Sequence, residues 1–343
     1  MSQAFLVTLR EGLEMALRLV GIPRKHGNGH LAPRIPLWML FVLLASFLVA
    51  CGGSSSKKER LVIAIQPTQA TAEMLEKAKP LERFLEEKLG GRVDVEVYVP
   101  LSQGGVIEAL RFGQAQVAFM GAWPANLAVE IAGAELALAE VREVIIDDKK
   151  TEAPYYYSYW VVPKGSPYSS LNELRGKVAC FPSPVSSSGY VAPLGRLIEI
   201  GLLPKPEKGE ADARRFFREV LFGGGYQQCW EALKSGQVDV SVIAGDVSEK
   251  LYNEVLANTR VLEKQGPIPS HGVVISKSLK EPLRSQVVEA IQALGAPEYR
   301  DLMRGFISGI FVGFQKTDAQ THLATFKSYL EQSGLGFTER IGR

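Results

Sequence analysis

The sequence predicts an α/β fold built from two mostly parallel-sheet domains. Two observations predict it. Short apolar runs alternate with amphipathic helical stretches, and this alternation occurs twice along 343 residues, a length that suits about two domains. No repeat at a fixed period is visible. Hydrophobic residues make up 46% and charged residues 22%, which excludes a disordered acidic or basic tail.

In the first half, residues 61–65 (Leu-Val-Ile-Ala-Ile) read as a buried strand. Residues 73–89 carry apolar side chains at 74, 75, 78, 81, 85 and 89, a helical stripe that stops at Gly90-Gly91. Val93, Val95, Val97 and Val99 alternate with polar positions, the period of a half-exposed strand. A helix over 107–112 and a strand over 116–120 come next. In the second half, strands are expected at 159–162, 177–181 and 238–243, with helices at 190–200, 229–234 and 247–256. Strands at 260–263 and 272–275 precede a helical end (281–293, 297–304, 318–332).

The amino-terminal part has a different character. Residues 1–50 hold five basic and two acidic side chains, leaving 34 basic and 35 acidic in the rest of a chain whose net charge is +2. That balance gives no bulk attraction to nucleic acid. The fourteen uncharged residues 37–50 are too short to span a bilayer core of about 30 Å and suit a signal-peptide apolar region. Leu48-Val49-Ala50-Cys51, with Gly52-Gly53-Ser54-Ser55-Ser56 behind it, resembles a bacterial lipobox and tether. The resemblance implies a diacylglycerol on Cys51 and a membrane-held extracytoplasmic protein. Arg10-Glu11-Gly12-Leu13-Glu14 faintly resembles an iron-permease motif, but the chain has no second apolar run of spanning length. A fusion remnant or an upstream start site is the preferred account of that segment.

The segment that carries chemistry comes after the strand at 177–181: Pro182-Ser183-Pro184-Val185-Ser186-Ser187-Ser188-Gly189, then a helix from Tyr190. One serine suffices to cap a helix. More hydroxyls beside free N–H groups and a helix dipole suit an oxyanion, and both readings stay open on chemistry alone. Here residues 60–310 resemble the substrate-binding proteins of phosphate, phosphite and phosphonate ABC transporters. The blocks that carry the resemblance, in order, are Val117-Ala118-Phe119-Met120-Gly121, the run from Leu171 to Ala179, Ser186-Ser187-Ser188-Gly189, the run from Phe217 to Gly225, Gly236-Gln237-Val238-Asp239-Val240, and Ile268-Pro269-Ser270.

The resemblance implies a two-lobed periplasmic-binding-protein fold, type II-like, whose lobes close on a ligand. It implies crossings near 157–162 and 261–265, with lobe one over 60–158, lobe two over 159–262, and a return to lobe one with C-terminal helices over 263–343, after a leader (1–50) and tether (51–59). It implies that Ser186, Ser187, Ser188 and Gly189 grip the oxyanion. Tyr226 stands where the family has His, and Asp246 aligns with one of two acids that surround a ligand amine. His271 stands in place of the second acid, which favours phosphite, phosphate or a simple alkylphosphonate. Tyr157 is preferred over Tyr156 as a ligand donor, and Trp123 is either cleft lining or core. The expected partners are a small phosphorus oxyanion, a permease with its ATPase, and the membrane through the lipid. A monomer without cofactor, metal or catalytic residue is expected. The alternatives are a sensory or adaptor lipoprotein of the same fold, or a serine hydrolase, although no Gly-x-Ser-x-Gly elbow is present. Cys180 and Cys229 either pair or remain buried thiols.

Overall fold

The structure is a computed structural model and describes residues 58–66, 71–305 and 307–336. The expected leader, most of the tether and Cys51 lie outside the described residues. No helix among the described residues is long and apolar enough to cross a membrane.

The first half folds as β1 (Glu59–Ile65), α1 (Thr71–Lys88), β2 (Val93–Tyr98), α2 (Gln103–Arg111), β3 (Val117–Met120), α3 (Ala122–Ala132), β4 (Glu135–Ile146) and β5 (Lys149–Ala153). Then come β6 (Tyr155–Pro163), β7 (Val178–Phe181), α4 (Ala192–Glu199), β8 (Glu219–Phe222), α5 (Tyr226–Lys234), β9 (Val240–Ala244) and α6 (Glu249–Asn258). The chain closes with β10 (Thr259–Pro269), β11 (Gly272–Ile275), α7 (Leu283–Gln292), α8 (Asp301–Arg304), β12 (Phe311–Lys316), α9 (Ala319–His322) and α10 (Ala324–Ser333).

Two sheets organise these elements. The first has the order β12-β4-β11-β3-β1-β2 with β5 paired to β4, and the second is β10-β6-β9-β7-β8. Parallel pairing is confined to β1 with β2 and β3, and to β7 with β8 and β9. The other pairs are antiparallel. The expectation of mostly parallel sheets therefore applies only to three strands at one end of each sheet, β3-β1-β2 and β9-β7-β8. Strands that arrive from the other sheet enter against the local direction, and so make each sheet mixed.

Helices α1 and α7 cover one face of the first sheet, where Leu81, Leu85, Val287 and Ile291 pack with Ile63 and Val97. Helices α5 and α6 cover one face of the second, where Trp230, Leu233 and Val255 meet Val161 and Ile243. A larger core joins the two inner faces, from Val62 and Ala118 through Trp123 and Phe326 to Trp160 and Phe181. Fully burying one such side chain contributes about 1.5–3 kcal/mol. Helix α10 lies across this junction. Its Phe326 meets Trp123 edge-on at 6.5 Å, and its Tyr329 hydroxyl accepts from the Gly266 N–H at 3.2 Å.

The chain passes between the sheets at Pro154 and at Ser270-His271, not within 157–162 or 261–265. The reason is the β6–β10 ladder, which runs out to Tyr155 opposite Pro269 and keeps both strands in the second sheet. Ser270 knots the two passages together. Its N–H donates to the Pro154 carbonyl at 3.0 Å, its hydroxyl bonds the carbonyls of Glu140 and Pro154, and its own carbonyl accepts from the His322 ring at 3.1 Å.

Cys180 of β7 and Cys229 of α5 form a disulfide with Cα atoms 5.4 Å apart, which resolves the alternative left open by the sequence. It fastens the strand that leads into the serine loop to the helix that begins at Tyr226. The cysteines are 49 positions apart. In the chain-entropy model a loop of that length is worth about 4 kcal/mol. Cys180→Ser with Cys229→Ser should lower unfolding stability in urea by roughly that amount; equal midpoints for the two proteins would contradict the role of the disulfide.

Candidate functional site

The serine loop is built from its ends. Beyond β7 the chain turns at Pro182, and the Ser186 N–H donates to the Ser183 carbonyl at 3.2 Å. Residues Ser187–Val191 form a single π turn that runs into α4. Ser186 caps it: its Oγ accepts the Gly189 N–H at 2.9 Å, and its carbonyl accepts from Tyr190 and Val191. A side chain at 189 does not fit, because a Cβ there would lie 2.7 Å from Ser186 Oγ and 2.8 Å from Pro182 Cδ. The Tyr190 ring anchors the turn on Phe181 and Phe222, each with its centroid 5.2 Å away. Of the clustered serines, Ser186 therefore does the capping. The N–H groups of Ser187 and Ser188, at the start of the turn, have no intrahelical acceptor by its geometry.

Ser188 points to the other side and is the centre of a hydroxyl cluster. Its Oγ lies 2.8 Å from the Tyr226 hydroxyl and accepts from the Tyr156 hydroxyl at 3.2 Å. Its carbonyl accepts from Ser158 Oγ at 2.8 Å, and Ser158 in turn accepts from Gln265 Nε2 at 2.7 Å. Ser158 and Gln265 are fully buried, so strands β6 and β10 fix the loop from beneath. Burial holds the Tyr156 and Tyr226 hydroxyls protonated, well above the usual tyrosine range, and the nearby Asp246 carboxylate adds to the effect.

Asp246 follows β9 and meets a charge from the other sheet. The Arg142 guanidinium of β4 bonds Asp246 Oδ2 through Nη1 at 3.2 Å, and Glu140 Oε2 through Nη2 at 2.8 Å. Glu140 and Arg142 are 2% and 5% exposed, which makes this an unusual place for charge. One polar atom on each, Glu140 Oε1 and Arg142 Nε, has no hydrogen-bond partner among the described residues. Burial raises the Asp246 pKa, and the Arg142 charge opposes that rise. His271 stands at the crossing with Nδ1 3.6 Å from Glu140 Oε2. Burial and then the Arg142 charge hold its pKa well below the usual histidine range, so the contact is not an ion pair at neutral pH. Strand β4 reaches the second sheet through the Ile145 N–H, which donates to the Gly245 carbonyl at 2.8 Å. That approach requires glycine, because a Cβ at 245 would lie 2.3 Å from the Ile145 carbonyl oxygen.

The structure thus brings together Ser186, Ser188, Gly189, Tyr226 and Asp246, with Ser187 on the same turn and His271 on the far side of Glu140. It does not bring Tyr157 to them. Successive strand residues face opposite ways, and Tyr156 takes the inward position. Tyr157 instead lies under the Lys264 ammonium, 4.0 Å from its ring centroid. Trp123 is 1% exposed and belongs to the core against Phe326. Arg142 and Glu140 escaped the sequence reading, which assigns no element to 121–146. A signal was present. Alternate positions of β4 read Leu136, Leu138, Glu140, Arg142, Val144, all of them buried, and opposite charges two apart in an apolar stripe mark a buried ion pair.

His322 is also held below the usual histidine range by burial, against the opposing effect of the Ser270 carbonyl. Below the ordinary value of 6.5, the unfolded chain takes up protons on His271 and His322 that the folded chain refuses. Stability contributed by these neutral imidazoles is therefore lost as pH falls below that value. Asp246, raised by burial above its ordinary 3.8, acts in the opposite sense between that value and its folded-state value. The melting temperature should drop between pH 7.5 and pH 5, and His271→Gln with His322→Gln should reduce that drop. An equal drop in both proteins would contradict the assignment.

Comparisons with known proteins bear on the family and the fold. Residues 63–322 match the family model described as "ABC transporter, phosphonate, periplasmic substrate-binding protein". The phosphate-import protein PhnD of Mycolicibacterium smegmatis is 28% identical over 207 residues, 57% of this chain and 60% of that protein, so the chain spans about three fifths of that relative's length. The phosphonates-binding periplasmic protein of Escherichia coli is 25% identical over 266 residues, 75% of this chain and 73% of that one. Two solved structures share the fold. A binding-protein component of an ABC phosphonate transporter from Pseudomonas aeruginosa has TM-score 0.56 at 18% identity, covering 83% of this chain and 92% of that one. PhnD1 from Prochlorococcus marinus in complex with methylphosphonate has TM-score 0.56 at 14% identity, covering 79% and 97%. With more than half its length matched to the family model on a two-sheet α/β fold, the chain belongs to the phosphonate ABC-transporter periplasmic substrate-binding protein family.

Proposed function

We propose that this chain is the receptor of an ABC importer, that it captures a small phosphorus oxyanion between its two lobes, and that it delivers the ligand to a membrane permease. The observation that carries the reading is the convergence, at the junction of the two sheets, of three hydroxyls (Ser188, Tyr156, Tyr226), the start of a helix, and the Asp246–Arg142 pair. Hydroxyls and helix-start N–H groups donate to the ligand oxygens. Asp246 accepts from a protonated ligand oxygen, so a monoprotonated ligand such as hydrogen phosphite, hydrogen phosphate or a hydrogen alkylphosphonate fits best. The names of the Mycolicibacterium smegmatis and Escherichia coli relatives support phosphate and phosphonate as the candidate class.

Lobe closure uses the two passages at Pro154 and Ser270, which bound the lobes there rather than at 158 and 262, and the protein acts as a monomer. A lipid on Cys51 keeps the receptor at the membrane face after residues 1–50 are removed. Ser188 Oγ is bonded to two tyrosine hydroxyls that are held protonated, and neither can serve as a general base, which supports binding over hydrolysis.

A thermal-shift and calorimetric panel of phosphate, phosphite, methylphosphonate and sulfate tests the reading. At least one phosphorus compound should raise the melting temperature, and sulfate, which has no protonated oxygen at neutral pH, should not. A hydrogen bond to a charged group is worth about 1.5–3 kcal/mol. Ser188→Ala and Tyr226→Phe should therefore each weaken the best ligand by about 10- to 100-fold, and Asp246→Asn should weaken it as well. No shift with any phosphorus compound would overturn the function, and full affinity in Asp246→Asn would remove that residue from the site.

A further inference from the structure

The two sheets repeat one arrangement. In the second, β7 lies between β8 and β9 and runs parallel to both; in the first, β1 lies in the same way between β2 and β3. In each, the chain leaves the central strand for one neighbour and returns on its other side. The segments beyond β7 and β9 therefore part, as do those beyond β1 and β3. A ligand crevice opens at the carboxyl ends of strands at such a point. In the second sheet its two sides are the serine turn and Asp246. In the first sheet the equivalent positions are Gln66, next after β1, and Gly121, next after β3.

Gln66 is 9% exposed. Its Oε1 accepts the Gly121 N–H at 2.8 Å, which fixes the orientation of the amide and leaves both Nε2–H donors pointing away from Gly121. Nε2 forms no hydrogen bond among the described residues. Gly121 is also the N-cap of α3 and has no side chain to cap it, so the Ala122 N–H lacks an intrahelical acceptor. His271 joins this group to the triad. A Cβ on Gly121 would lie 3.6 Å from Gln66 Oε1 and 3.7 Å from His271 Nε2, while His271 Nδ1 faces Glu140. A nearly buried amide with its donors unused calls for an acceptor.

We propose that Gln66 is a ligand-binding residue of the first lobe: its Nε2 donates to an oxygen of the phosphorus oxyanion, opposite the serine turn of the second lobe. The proposal rests on the reading of the Ser188 cluster as a phosphorus-oxyanion site. It gives lobe closure a chemical reason, since the serine turn holds the anion from one lobe and Gln66 completes its shell from the other.

Calorimetry with phosphate, phosphite and methylphosphonate tests this on the wild type, Ser188→Ala, Gln66→Glu and Gln66→Met. Gln66→Glu keeps an oxygen for the Gly121 N–H and exchanges the donor for a negative charge. It should weaken the best ligand by at least about 100-fold. Gln66→Met, of similar length and without a donor, should weaken it by about 10- to 100-fold. A role confined to holding Gly121 predicts the reverse order, because only methionine loses that acceptor.

Wild-type affinity in a folded Gln66→Glu or Gln66→Met would overturn the proposal, as would weaker binding in Gln66→Met than in Gln66→Glu. If neither variant folds, a crystal structure of the wild type with its best ligand decides: Nε2 should lie within hydrogen-bond distance of a ligand oxygen, and no oxygen within reach would overturn the proposal. Loss of affinity in Ser188→Ala alone would keep the site and remove Gln66 from it. Failure of every phosphorus compound on the wild type would overturn the underlying reading, and the proposal with it.

Discussion

The arrangement depends on one buried contact between the sheets. Arg142 comes from the first sheet and Asp246 from the end of a strand in the second, and their 3.2 Å contact meets where the chain passes between the two. Losing one partner of such a pair leaves an uncompensated charge, at a cost of about 3–5 kcal/mol. Glu140 makes the contact a triad, and the Ser270 knot at the two crossings holds the strand that carries Glu140 and Arg142. A buried charge network is a poor way to gain stability. It is a good way to define one relative position of two sheets and to mark a site for a charged ligand.

The serine loop is the other half of the site, and its support comes from several directions. Ser186 caps the turn, Tyr190 anchors it on Phe181 and Phe222, and Ser158 with Gln265 holds the Ser188 carbonyl. The disulfide ties the strand before the loop to the helix that carries Tyr226. Each constraint removes freedom that would otherwise have to be lost on binding. Outside residues 1–50 the basic and acidic side chains nearly balance. Such a protein holds an anion through fixed local donors, and its one central cation is shared between two acids.

The parts legible in the sequence were those whose pattern is local. The valines at 93, 95, 97 and 99 alternate visibly, and β2 forms there with inward valines. The serines after residue 181 pointed to a helix start with hydroxyls to spare, and the turn beyond β7 has that form. Strand β4 was hidden because Glu140 and Arg142 break its apolar face, so the site's own chemistry erased the periodicity that would have revealed it. That Tyr156, and not the expected Tyr157, reaches Ser188 has a related reason. Which face of β6 looks inward depends on where the crossing begins, and the ladder to β10 decides that. The disulfide was open in the sequence because a 49-residue separation says nothing about distance.

The account rests on one claim, that the phosphorus oxyanion lies at the Ser188 cluster beside the Arg142 triad. A crystal structure of the protein with phosphite or methylphosphonate tests that claim most directly. The account predicts ligand oxygens within hydrogen-bond distance of Ser188 Oγ, of the Tyr226 hydroxyl and of the turn that begins at Ser187, with Arg142 still bridging Glu140 and Asp246. A ligand bound elsewhere on the protein, or bound here without contact to Ser188 or Asp246, would contradict it.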